Sequence, residues 1–336
     1  MKNVFLLMGL LISMQILAQD STMNNLTQDM DKVNKEKMPV KIFNSEKVIN
    51  ANTTEVVGKG KMDFKVTHNF SDVAGHEGGV KNFFGLDNTT DVRIGFDIGL
   101  TNRLDISFSH SKGDEHRLRP DTLNNSSPSE NLPGKLYEIA LKYQLLQQLE
   151  NDASHPFAVS FLVQSAISTQ SAPKDINGVI IPNTPRSFEN FGDRISEVFQ
   201  IIIAKKMGKV SLQLNPTLVH HNYVPFYDDA TTFALGAATR IPLSRSIAII
   251  VDYFHPFLSD TKKENYYSLH AIKFHDPLSI GFEILTAGHV FHLNFTNTTA
   301  ILENQFIPYN TNSWGKGQFR WGFNLSRKFV LWREKK

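Results

Sequence analysis

The sequence predicts an all-β fold, an antiparallel transmembrane β-barrel of about 12 strands that follows a cleaved signal peptide. Three observations predict it. Segments of about ten residues place an apolar residue at every second position, so each strand has one apolar and one polar face. In 91–100, Val92, Ile94, Phe96, Ile98 and Leu100 share one face, while Arg93 and Asp97 lie on the other. The amino terminus reads as an export signal: Lys2, an apolar run at 4–12, and Ile16-Leu17-Ala18 before a cut at Gln19. The connections alternate long and short, as in barrels whose long loops face outward and whose tight turns face the periplasm.

The signal occupies 1–18, and its apolar run is too short to span a bilayer. Residues 19–38 are polar and read as a weakly structured periplasmic lead-in, extended to residue 60 by a strand-like piece at 40–48. Residues 39–60 are expected to enter the lumen as a plug, run along the barrel base, or add a strand. The barrel is placed at 61–332 and a short basic tail at 333–336. Its strands are expected at 61–70, 91–100, 102–112, 135–147, 156–169, 194–206, 209–222, 231–241, 246–254, 278–285, 289–297 and 318–332. Thr101-Asn102 is expected as a tight hairpin, and 71–89, 113–133, 170–192 and 300–317 as long loops suited to binding a partner. Residues 264–275 alternate weakly and leave 14 strands open as an alternative.

Composition narrows the classes further. The chain has no cysteine, which removes disulfides, thiolate metal sites, cysteine nucleophiles and a lipidated amino-terminal cysteine. Its formal charge is +2, from 35 basic and 33 acidic residues, so no global field favours nucleic acid. The 25 phenylalanines gather in and beside the alternating segments, as lipid-facing girdles require.

With apolar faces toward lipid, the candidate lumen-lining residues are Arg93, Asp97, Asp105, Glu138, Lys142, Arg240, Asp252, Glu283, Arg320 and Asn324, with Gln164, Gln200, Gln213, His292 and Asn294 among them. Buried charges of both signs require partners. They are expected to form a paired network that stiffens the wall and fills much of the lumen, or a selectivity constriction in a narrow channel for small polar solutes, or, least of all, a catalytic group.

Catalytic and metal motifs are weak. His220-His221 and His110-Ser111 face apart on a strand, and no HExxH or GxSxG is present. Ser171-Ala172-Pro173-Lys174 and Ser259-Asp260-Thr261-Lys262 match S-x-x-K by letters, but both fall in expected loops. No enzyme activity, cofactor or metal is expected. Gly288 is expected to supply a positive φ that sets His289 at the membrane edge, Asn324 to point inward near Arg320, and Arg327 to face out and snorkel.

His68-Asn69-Phe70, Phe84-Gly85-Leu86-Asp87, Lys142-Tyr143 with Gln147, Gly288-His289-Val290-Phe291 with Thr296-Asn297, and the stretch from Gly322 to Arg327 are spread over the barrel. Together they resemble a Bacteroidetes-type outer-membrane β-barrel family catalogued as a domain of unknown function, over residues 40–332. Asn69 and Ala287 depart from the arginine and glycine that the family favours. The resemblance implies architecture and location and carries no catalytic residue. The expected setting is the outer membrane of a Gram-negative bacterium, with lipid, lipopolysaccharide and the barrel-assembly machinery as partners. The closing strand ends on Phe329, Leu331 and Trp332, a terminus suited to that machinery.

Overall fold

The computed structural model describes residues 38–75, 78–113, 132–170, 174–179 and 188–332. The signal peptide, the lead-in up to 37, Ser171 with its S-x-x-K match, and the tail at 333–336 lie outside the described residues.

Among the described residues, twelve strands form one closed sheet: β1 Lys61–Asp72, β2 Thr89–Gly99, β3 Leu104–Gly113, β4 Lys135–Leu146, β5 Ala158–Ser168, β6 Ile195–Met207, β7 Val210–His221, β8 Thr231–Pro242, β9 Ile247–Pro256, β10 Leu278–Leu285, β11 Val290–Thr296 and β12 Arg320–Val330. Each strand pairs antiparallel with its neighbours, and β12 closes on β1 from Lys61↔Val330 through Asn69↔Gly322. Closure leaves no unpaired edge, the condition for a sheet to sit in hydrocarbon.

The period-two pattern decides which side faces lipid. Phe96, Phe108, Ile139, Leu141, Phe161, Phe199, Leu212 and Phe282 are exposed on the outer wall, whereas Arg93, Asp105, Glu138, Asp252 and Glu283 on alternate positions are buried. One part of the interior departs from the all-polar lumen expected from sequence. On β5 to β9 the inward positions include Ala158, Leu162, Val198, Ile202, Ala204, Val219, Ala234, Ala238, Ile250 and Phe254, all buried. Both faces of these strands are rich in apolar residues, so alternation alone does not show the apolar inner patch.

Residues 264–275 add no strand. A helix, α1 Asp260–His270, stands between β9 and β10, with Ser259 as its N-cap: Ser259 Oγ accepts from the Lys262 backbone N–H at 3.0 Å. Ser259 and Lys262 therefore open a helix instead of lying in a loop, and Ser259 is committed to capping. The β2–β3 turn is longer than two residues and spans 100–103, where Thr101 Oγ1 accepts from the Arg103 and Leu104 N–H groups. Gly288 is not among the positive-φ glycines; Thr286 Oγ1 holds that turn by accepting from His289 N–H at 3.1 Å.

The expected strand at 40–48 is also absent. Apart from bridges at Pro39↔Leu149 and Lys47↔Asn52, residues 39–57 carry no sheet pairing and run inside the ring. Their contacts reach Ser211 on β7, Asp252 on β9, Ser279 on β10, Asn324 on β12 and Asp105 on β3. The segment leaves the interior at Gly58 and Gly60 (φ 87° and 73°), passing so close to β2 that a Cβ on Gly99 would lie 2.0 Å from the Gly58 carbonyl oxygen. From the long-loop end the β11–β12 connection folds inward as a second helix, α2 Glu303–Tyr309, every residue of which is buried. The loop expected at 300–317 as a partner-binding surface thus spends its helix on the barrel interior.

Candidate functional site: a filled and charged lumen

The segment at 39–57 is retained by wall side chains bonded to its backbone. Asp252 Oδ2 accepts from three successive N–H groups, Ile49, Asn50 and Ala51, at 3.0, 2.7 and 3.0 Å. Such a concave run of N–H groups is an anion nest, here filled by a wall carboxylate. Gln213 and Asn215 donate to the Asn52 carbonyl at 2.7 and 2.9 Å, Gln144 and Ser160 to that of Thr54, and Ser211 to that of Ile42. Asn324 donates to the Ile49 carbonyl at 2.9 Å and does not contact Arg320, which pairs instead with Asp72 at 2.7 Å. Asp105 accepts from Val57 N–H at 2.8 Å. Apolar side chains complete the fit: Ile42, Phe43, Val48 and Ile49 pack with wall residues such as Ala158, Ala234 and Ile250, and with Phe306 and Ile307 of α2.

The remaining candidate charges sort into compact groups. Arg93 donates to Glu138 at 2.7 Å and to Ser109 at 3.0 Å, bridging β2 to β4 across β3. Asp97 pairs with Lys65 of β1, and Lys142 stands opposite Asp105 in the ladder. Arg240 donates to Glu283 at 2.7 Å, and Asn44 of the inner segment shares that carboxylate at 2.8 Å. His292 lies 3.6 Å from the other oxygen of Glu283.

Sequence reasoning missed the groups that the inner elements bring. Glu46 meets Lys328 at 2.7 Å and Lys65 at 3.7 Å. Burial disfavours its charge, but the ammonium groups of Lys65 and Lys328 outweigh burial and hold its carboxyl below the usual carboxylate range. Glu55 accepts from the Ile42 and Phe43 N–H groups, yet burial prevails and raises its pKa. Glu303, at the start of α2, accepts from Lys47 at 2.6 Å and Asn52 at 2.9 Å, tying the last loop to the inner segment. For Glu46 and Glu55 a signal was present: Val48, Ile49 and Ala51 interrupt the polar residues of 44–55, more like a packed element than a lead-in.

The long-loop end has its own fastening. Asp228, between β7 and β8, pairs with Lys262 of α1 at 2.7 Å and accepts from the hydroxyls of Tyr266 at 2.7 Å and Tyr309 of α2 at 2.9 Å. One carboxylate thereby pins three connections together over the mouth.

Chemistry of other kinds finds little footing. The Ser154, His155 and Asp152 side chains meet in an exposed turn, but Ser154 and Asp152 both address His155 Nδ1, and the serine hydroxyl donates directly to Asp152 at 2.6 Å, so the imidazole does not stand between serine and carboxylate as a relay. His220 bonds Thr231 while His221 packs on Tyr309, so the adjacent histidines diverge. Among the described residues no group of three or more His, Asp or Glu side chains could hold a metal ion.

A family model described as a membrane bound beta barrel domain (DUF5777) matches residues 43–329. No curated protein matches the sequence. Among solved structures the chain is similar to a KdgM porin (TM-score 0.42, 7% identity, 80% of this chain and 99% of that one). It is similar to an outer membrane channel from Pseudomonas putida F1 (0.44, 11%, 82% and 98%). It is also similar to LpxR from Salmonella typhimurium (0.36, 11%, 80% and 99%).

Proposed function

The chain belongs to this family of membrane-bound β-barrel domains, and from that premise we propose a gated barrel in the outer membrane of a Gram-negative bacterium, which passes small polar solutes when residues 39–57 withdraw. One observation carries this reading. The wall turns small residues inward, among them Ala158, Ser160, Ala204, Ser211, Ala234 and Ala238, and the space they leave is filled, beside α2, by a segment that continues covalently into the sheet only at β1 and is otherwise held by hydrogen bonds and packing. A barrel built merely as a scaffold fills its lumen with its own side chains. Here the filling is separable, and its withdrawal would leave small and charged groups that water can solvate. With the segment seated, Arg93, Glu138 and Asp252 are buried and the path is closed. The role is conduction rather than catalysis, with lipid and lipopolysaccharide around the wall and the assembly machinery acting on the closing strand.

The close filling of the lumen by 39–57 and α2 favours a second reading, a non-conducting barrel whose loops bind a partner. Planar-bilayer recordings separate the two. The full mature chain is expected to be silent or to open rarely, and a variant lacking 39–57 to pass steady current. Silence in that variant, with heat-modifiable gel migration showing a folded barrel, would transfer the role to partner binding.

A further inference from the structure

The wall is uneven. β10 and β11 have eight and seven residues, against ten to thirteen in the other strands. The β9–β10 ladder begins at Tyr253↔Leu278, whereas β9 continues along β8 to Ala234↔Pro256. Past Tyr253, β9 therefore lacks its full neighbour, and a notch opens toward the long-loop end. A cavity of about 360 Å³ occupies it, lined from both sides of the wall. His255 and Phe257 continue the outward series of Tyr253, and Phe257 is 58% exposed. Ile307 and Asn310 come from α2 and the residue after it, inside the ring, and Ile307 is 1% exposed. The volume lies within the range of small-molecule sites, and the lining is half apolar and half polar, with His255, Lys263, His275, Asp276 and Asn310 as its polar groups.

The polar groups set the sign of the ligand. Asp276 is the carboxylate in the lining, and it is already engaged by the Tyr253 hydroxyl and by His255 Nδ1 at 2.8 Å. Lys263 of α1 reaches the cavity with a counter-ion, Asp260 at 3.2 Å, in a solvent-exposed pair of the weak kind that exchanges readily. We infer that this cavity binds a small amphipathic organic anion, its apolar body against Phe257, Phe274 and Ile307 and its anionic group on Lys263, entering from the outer edge of the membrane. The site is independent of whether the lumen conducts.

Because the chain has no cysteine, one introduced thiol reports on the cavity. Leu258→Cys lines it, and its maleimide labelling is followed in nanodiscs of zwitterionic lipid, with octanoate and octanol as probes at equal membrane loading. Octanoate is expected to slow labelling tenfold or more and octanol less than twofold, and adding Lys263→Met is expected to abolish the octanoate effect. Phe257→Cys repeats the measurement should Leu258→Cys fail to show heat-modifiable migration. Equal protection by octanol, undiminished protection by octanoate in the Lys263→Met background, or no protection at either thiol would each overturn the assignment.

Discussion

Lys47 and Glu303 meet at 2.6 Å inside the ring, although 256 residues separate them in the chain. Lys47 belongs to the segment that precedes β1, and Glu303 to the loop that precedes β12. The pair joins what enters from the turn end to what folds in from the long-loop end, and Asn52 adds a second bond to the same carboxylate.

Removing one partner leaves the other charge buried without compensation, which costs about 3–5 kcal/mol. Lys47→Ala and Glu303→Ala are each expected to loosen residues 39–57, read as faster proteolysis of that segment in the intact barrel. Their double variant is expected to fall short of the sum by about 1–3 kcal/mol. Additive effects would show that the two elements are held independently.

Asp252→Ala removes the acceptor of three N–H groups at once. A loss of about 3 kcal/mol follows from unsatisfied buried donors, or roughly a hundredfold more of the open form. Opening frequency in a bilayer, compared with Asp252→Asn as the milder change, measures it.

Acidity acts on the segment from two sides. Glu46 is held below its ordinary value, so its contribution is complete above about 4.5 and is lost as pH falls toward its native value. Glu55 is raised, so its contribution is complete at low pH and is lost as pH climbs through its shifted value. Retention of the segment is therefore expected to weaken on both sides of about 4.5, the ordinary value of both groups. Glu46→Gln should flatten the limb below that pH and Glu55→Gln the limb above it, followed by protease accessibility against pH. A limb unchanged in its variant would assign the titration elsewhere.

Gly99→Ala places a methyl group against the Gly58 carbonyl, a backbone atom held by the Gly60 N–H bond to the Gly99 carbonyl at 2.9 Å. A cost of about 1–3 kcal/mol is expected, as for other overpacked contacts. It should appear as a lower thermal midpoint in full-length protein and largely vanish when 39–57 is deleted.

The barrel was legible because each of its strands repeats one simple constraint: lipid on one side, no edge left over, and a turn residue at either end. Strand positions from sequence agree with the structure to within a few residues, and the count of 12 holds because 264–270 belong to a helix and 271–275 to no strand. What fills the ring was not legible in the same way. Residues 39–57 have no period, since their backbone polar groups are satisfied one by one by Asp252, Gln213, Asn215 and Gln144 instead of by a ladder. Glu303 gave no signal because a buried acid in a loop is recognised only by its partner, and Lys47 is distant in sequence. The inward alanines of β5 to β8 were hidden by apolar neighbours on both faces.

The placement of Glu303 also orders events in time. Its loop joins the last two strands, so a growing chain carries Lys47 before β1 but receives Glu303 only after β11. An unfinished barrel therefore displays an unlatched inner segment, open to proteases, while a completed one conceals it. The same contact that ties the last loop to that segment distinguishes finished molecules from defective ones.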